Sequence, residues 1–315
     1  MSWADIFVAN SLVFAYKAMY VKHLEGVMAR SRSFEVSGLN IRVHTKHSCE
    51  EYVEFWRMLY VNRATVLHGS SAMMIGEARK ENSEDPESPI SGYIYKFLNI
   101  DPSEPWFDIQ RKKPATDEDV SKVSIPDFLK PNLRLVPYVF LPSKHQLFFV
   151  SKASSDSMAA GTVNRLITKL SENTTIVERF GVVDISTITD QKEIESFFHW
   201  HSIKTLDILI KRPNPLEDED EEDVLDRLER LNAGSERIVL KKAPEAATLT
   251  PDDTVKNLAY IAADNGEVRI DGRNEQGVKD HASSKDFPMH ERVTYQPNLQ
   301  SNLQALISFV TQRFM

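Results

Sequence analysis

The residues most able to do chemistry are scattered along the 315-residue sequence rather than gathered into a signature. His44, His47 and Cys49 come nearest to a metal cluster, since imidazole and thiolate suit zinc. A structural zinc site needs four ligands, and no second Cys/His pair follows at a suitable spacing, so the preferred reading is a strand end running into a helix start. His199 and His201 flank Trp200; in an extended segment both rings would share a face. Two imidazoles alone make an incomplete site, and a loop with Trp200 packed beside Phe197 and Phe198 is preferred.

Asp264, Glu267, Asp271 and Asp280 could serve a magnesium-dependent nuclease if they converged on a phosphate. Their spacing around a turn does not establish convergence. Ser154, Ser155 and Ser157 have no base nearby in sequence and no nucleophile motif. The glycine-rich phosphate loops, GxSxG, HExxH and CxxC are all absent. No catalytic residue, metal ligand or cofactor is therefore assigned, and binding is a better expectation than catalysis.

The basic residues are more suggestive. Arg111, Lys112 and Lys113 sit together in a loop, Lys211 and Arg212 end an apolar strand, and Lys241 and Lys242 end the next. Arg269, Arg273 and Lys279, with Lys285 and Arg292 beyond them, run through a C-terminal hairpin region. If these strand ends share one edge, they form a phosphate-contacting stripe. The net charge of −8 opposes this, but residues 217–223 are seven consecutive acids, and without them the charge falls to −1. That acidic run either competes with the stripe or is a solvated helix start.

The elements that must position these residues alternate between strand and helix. GLNIRVHT (38–45) alternates like a half-buried strand, and Ser48 followed by Glu51 caps a helix carrying Tyr52, Phe55, Trp56 and Leu59. Strands are predicted around 64–78 and 93–100, and an irregular surface loop over 111–132. LRLVPYVFLPSKHQLFFVSKA reads as two strands joined at Pro142–His145, followed by a helix over 157–172. TTIVERFGVVDISTI reads as a strand, Asp190 caps a helix through Phe198, and 203–213 is an apolar strand. The acidic run opens a helix striped by Val224, Leu225, Leu228 and Leu231 and closed by Gly234. Thr250 and Pro251 open another that ends near Asn265, and Asn298 caps the last helix, with Leu299, Leu303, Leu306, Ile307 and Val310 on its buried face.

These patterns predict an α/β (α+β) fold of mixed, largely antiparallel sheets with packed helices. The expected divisions are an amphipathic helical segment over 1–36, an α/β domain over 37–132, and a central and C-terminal α/β domain over 133–315. In the first segment Phe7, Val8, Leu12, Val13, Tyr16 and Tyr20 recur at helical spacing. Asp5 and Lys17 interrupt it too closely for a span of roughly 20 residues, and it has no basic stretch before its apolar run, so neither membrane insertion nor a signal peptide is expected. One cysteine excludes an intrachain disulfide and fits a reducing, cytoplasmic setting.

HQLFFVSKASSDSMAAGTVNRLITKL with the following VVDIST resembles the central module of RdgC, a recombination-associated DNA-binding protein, and YQPNLQSNLQALISFVTQRF resembles that family's last segment. LDILIKRPNP and LAYIAADNGEVRIDGRNEQG are similar in order to RexA-type phage exclusion proteins. The whole chain also looks like an uncharacterised bacterial family of phage-defence type, marked by GYIYKFLNIDPSEPWFD and the acids after RPNP. The RdgC and RexA resemblance covers residues 133–315. It implies an RdgC-like strand-helix architecture and sequence-independent, non-enzymatic double-stranded DNA binding by a homodimer, in anti-phage defence or phage-related recombination. The aromatic N-terminal segment and the acidic run depart from that pattern. A metal-dependent nuclease effector and a protein-interaction subunit working with a second defence-system protein are the alternatives.

Overall fold

The computed structural model describes residues 30–43, 48–101, 103–126, 128–154, 156–213 and 219–315. Residues 1–29 of the amphipathic helical segment expected over 1–36, and His44 and His47, lie outside them, and the end of that segment, from Arg32, is strand rather than helix. The described residues form a mixed α/β fold in which every strand pairing is antiparallel.

The first sheet starts with β1 (Arg32–Arg42), which is buried on both faces. The helix α1 (Cys49–Val61) begins where the Ser48 hydroxyl accepts the Glu51 N–H, and it buries Tyr52, Phe55, Trp56 and Leu59. A hairpin of β2 (Val66–His68) and β3 (Ser71–Lys80) leads to β4 (Ile90–Leu98). The irregular loop expected over 111–132 instead carries β6 (Lys113–Pro114), paired with the preceding β5 (Phe107–Asp108), and the helix α2 (Asp117–Ser121), capped by Thr116. The hairpin of β7 (Arg134–Leu141) and β8 (Gln146–Ala153) follows, with β9 (Asp156–Ser157) folded back on β8.

The helix α3 (Ala160–Ser171) buries Val163, Leu166, Ile167 and Leu170, matching its apolar spacing. The next stretch departs from expectation: Thr174–Phe180 is a helix, α4, and the strand β10 is confined to Asp184–Thr187. Asn173 caps α4, Ile176 and Phe180 are buried one turn apart, and Gly181 at φ +71° ends it. Capping and burial override the β-branched run.

The second sheet follows α5 (Gln191–Phe197), capped by Asp190. Its strands are β11 (Ser202–Lys211), β12 (Ser235–Lys241), β13 (Gly266–Arg273) and β14 (Lys279–Ser283), in the order β12-β11-β13-β14. The helix α6 (Glu219–Arg230) closes at Asn232 rather than Gly234: Asn232 takes φ +51°, and the Ala233 N–H returns to the Leu228 carbonyl. The helix α7 (Asp253–Asn265) is capped by Asp252, not Thr250, its carboxylate accepting the Val255 N–H at 2.9 Å. Val224 and Leu228 of α6 and Ala259 and Ala262 of α7 pack with Leu206, Ile208, Val268 and Ile270 on one face of this sheet.

The chain then returns to the first sheet. β15 (Glu291–Tyr295) pairs with β1, completing nine strands in the order β10-β1-β8-β7-β4-β3-β2, with β9 on β8. The last helix, α8 (Asn302–Phe314), is capped by Ser301 in a box with Gln304, not by Asn298, and Leu299 stays exposed. Leu306 and Val310 cover Phe34, Val36, Phe148 and Val150, while α1, α3 and α4 cover the opposite face. The boundary expected at residue 132 runs through this sheet, because β1 lies between β8 and β10, which come from beyond it. Pairing partners far apart in sequence carry no local signal of their association.

Candidate nucleic-acid interface

Alternation in a strand sends successive side chains to opposite faces. In the second sheet one set is buried under α6 and α7, and the other is left open. The open set comprises Asp207, Leu209 and Lys211 of β11, Arg237, Val239 and Lys241 of β12, Arg269, Asp271 and Arg273 of β13, and Lys279 and His281 of β14, with Thr205 and Glu267 among them. Register sets them side by side: Lys241 opposite Thr205, Thr205 opposite Asp271, Asp271 opposite His281, and Arg273 opposite Lys279. Lys285, from the turn after β14, reaches the same face through Glu267. Cations therefore outnumber carboxylates here, and this face carries no Phe, Tyr or Trp among its strand residues.

The carboxylates on this face hold the guanidinium groups in place. Arg237 donates from Nε and NH2 to both oxygens of Asp207, at 2.8 and 2.5 Å, and holds that carboxyl below its ordinary pKa. Glu267 receives Arg269 at 2.8 and 3.0 Å, Lys285 at 2.8 Å and the Ser283 hydroxyl at 2.9 Å. Burial pushes the Glu267 carboxyl up, but these hydrogen bonds outweigh it and hold the pKa at about 2. Arg237 and Arg269 nonetheless keep 57% of their side-chain surface exposed, so both can meet a second anion.

Five of the ten basic residues singled out in the sequence meet on this face: Lys211, Lys241, Arg269, Arg273 and Lys279. The other five do not. Arg212 turns its Nε to the Ala233 carbonyl at 3.0 Å, and Lys242 ties its amine to the carbonyls of Ala243 and Ala246 at 3.0 and 2.5 Å. Arg111, Lys112 and Lys113 lie in and before β6, on the excursion from the first sheet, where Arg111 is paired with Asp108 and Asp119. Arg237 was missed, although the alternation of SERIVLKKA places it on the face of Lys241.

The acidic helix does not oppose this face. Val224 and Leu228 fix α6 to the other side of the sheet, where Asp220, Asp223, Asp226 and Asp253 line a groove of about 690 Å³ with Arg227 and Arg230. The sheet thus separates an acidic side from a basic one. On the basic side, a cleft of about 620 Å³ opens between the sheet and the first layer, lined by Gly161, Asn164, Ser186, Thr189, Lys211 and Lys285.

A polar seam fixes the two layers to each other. Asn40 and Arg42 donate to the Asn265 side-chain oxygen at 3.0 Å each, and Arg42 also donates to the Arg212 carbonyl at 2.7 Å. Lys211 reaches Asp184 at 2.5 Å. Asp264 accepts from the Thr189 N–H and the Gln191 amide at 2.9 Å each, and burial lifts its pKa to about 6 despite those bonds. Asp264 is thus bonded into the seam, whereas Glu267 is bound by cations on the open face and Asp271 lies beside His281. No group of three or more His, Cys, Asp or Glu among the described residues is arranged to hold a metal ion. His199 and His201 lie on the bend after α5, not in a strand, and Trp200 packs against Phe197.

A family model described as "Domain of unknown function (DUF4747)" matches residues 32–311. The chain belongs to the DUF4747 family. The match takes in both sheets and the polar seam of this DUF4747 protein, so the open basic face lies inside the family's domain. A comparison with curated proteins finds no match. No helix among the described residues is long and apolar enough to cross a membrane.

Proposed function

We propose that this DUF4747 protein binds double-stranded DNA without sequence preference, through the open face of its second sheet. One observation carries the reading: pairing register brings Arg237, Lys241, Arg269, Arg273 and Lys279 onto one solvent-facing surface while the acidic helix lies behind it. Phosphate contacts position a protein on a duplex without reading sequence. Single-strand binders stack bases on aromatic side chains, and the lack of Phe, Tyr and Trp among this face's strand residues favours a duplex. The resemblance to RdgC and RexA proteins adds a setting, anti-phage defence or phage-related recombination, with the protein acting by binding rather than by catalysis.

The test is fluorescence anisotropy with a labelled duplex of mixed sequence. Replacing Lys241, Arg273 and Lys279 together by Gln should weaken binding by at least about tenfold. Replacing Arg230 and Lys256, on the helices behind the sheet, by Gln should leave it unchanged. Equal affinity in the wild type and the first variant would remove this face from the account.

A further inference from the structure

Exposed apolar side chains cluster on one part of the chain. Between β4 and β7 the backbone leaves the first sheet, forms the β5–β6 hairpin and α2, and returns with the Leu98 N–H bonded to the Pro131 carbonyl. On this excursion Phe107 is 66% exposed, Ile109 78%, Phe128 85% and Leu129 54%, and Val123 and Ile125 are also open. Large side chains scattered singly need no explanation, but a concentration of them on one excursion of the chain marks a contact surface.

Charge on the excursion identifies the occupant. Residues 99–135 hold Arg111, Lys112, Lys113, Lys122, Lys130 and Arg134 against Asp101, Glu104, Asp108, Asp117, Glu118, Asp119 and Asp127, so the two signs nearly cancel. A surface for nucleic acid or an anionic membrane would carry an excess of cations. Here an exposed basic pair, Lys112 and Lys113, stands close in sequence to an exposed acidic pair, Asp117 and Glu118, and the Arg111–Asp119 ion pair joins their two elements at 2.7 Å. A patch of this kind is self-complementary: across a twofold axis the basic pair of one copy meets the acidic pair of the other.

We infer that the excursion over residues 99–135 is a self-association surface whose occupant is the same surface of a second copy of this chain. Exposed Phe107, Ile109 and Phe128 supply the apolar centre, and the two charged pairs set the orientation. The inference does not depend on DNA binding, since the basic face lies on the second sheet.

Sedimentation equilibrium of the full chain tests it. The wild type is expected at twice the chain mass, and Ile109→Glu with Phe128→Glu at the mass of one chain. Leu299→Glu, at an exposed position outside the excursion, should keep the wild-type mass. A charge exchange checks orientation: Lys112→Glu with Lys113→Glu, and separately Asp117→Lys with Glu118→Lys, should each raise the dimer dissociation constant on the order of tenfold. Mixing the two variants should restore dimers of one copy of each. A wild type at single-chain mass, a dimer unaffected by the apolar variants, or a mixture that does not pair would each overturn the inference.

Discussion

Arg237 on β12 reaches diagonally across to β11 and holds both carboxylate oxygens of Asp207, at 2.8 and 2.5 Å. Such a bidentate pair fixes the plane of the guanidinium and offsets its charge. If the face binds phosphate, Asp207→Asn should raise DNA affinity, by about two- to tenfold, while changing stability by no more than about 1 kcal/mol. Anisotropy and chemical denaturation of the same variant separate the two effects. A purely structural pair would lose stability without gaining affinity.

Glu267 makes the complementary case. Its carboxyl is held at about 2, below the ordinary value near 4.3 of an unfolded chain. A depressed folded pKa contributes stability that is present above about pH 4.3 and is lost as pH falls toward 2. Glu267→Gln should therefore destabilise the fold at pH 7, by about 1–3 kcal/mol, and flatten the acid limb of the stability curve. It also releases Arg269 and Lys285, so binding to DNA at neutral pH should tighten even as the melting temperature falls.

Asp264 has the opposite sign. Burial raises its pKa to about 6 from an unfolded value near 3.9. A raised folded pKa contributes stability that is fully present below about pH 3.9 and is lost as pH rises through about 6. Denaturation midpoints of the wild type should carry a downward component between about pH 4 and 6 that Asp264→Asn removes. Midpoints of wild type and variant that run parallel across that window would contradict the assignment.

Asn265 joins the layers, accepting from Asn40 and Arg42 and donating to Glu221 at 2.8 Å. Asn265→Ala would remove the acceptor that Asn40 and Arg42 share across the seam, at a cost of about 2–4 kcal/mol. Equilibrium unfolding in urea measures this directly, and a loss below about 1 kcal/mol would show that the seam is not a major tie between the layers.

Much of the fold was legible because local signals are short. Ser48 and Asp190 mark helix starts through hydrogen bonds two or three residues on, and the β7–β8 hairpin is apolar and bounded by Pro142–His145. Where local signals competed, reading failed: Thr250–Pro251 resembles a helix start, yet Asp252 supplies the cap, and β-branched 174–177 looks like strand until Asn173 and the buried Phe180 are seen together. The site was legible only as charges. That Lys241, Thr205 and Asp271 share one row depends on register between strands separated by whole helices, which no local pattern encodes. The same limit hid the side of the sheet on which the acidic helix lies.

The salt dependence of duplex binding tests the central claim most directly. Four to five phosphate contacts from the open face predict a log–log slope of affinity against salt of about −4, and replacing Lys241, Arg273 and Lys279 by Gln should bring it to about −1. No measurable binding at low salt, or a slope that the triple variant leaves unchanged, would contradict the account.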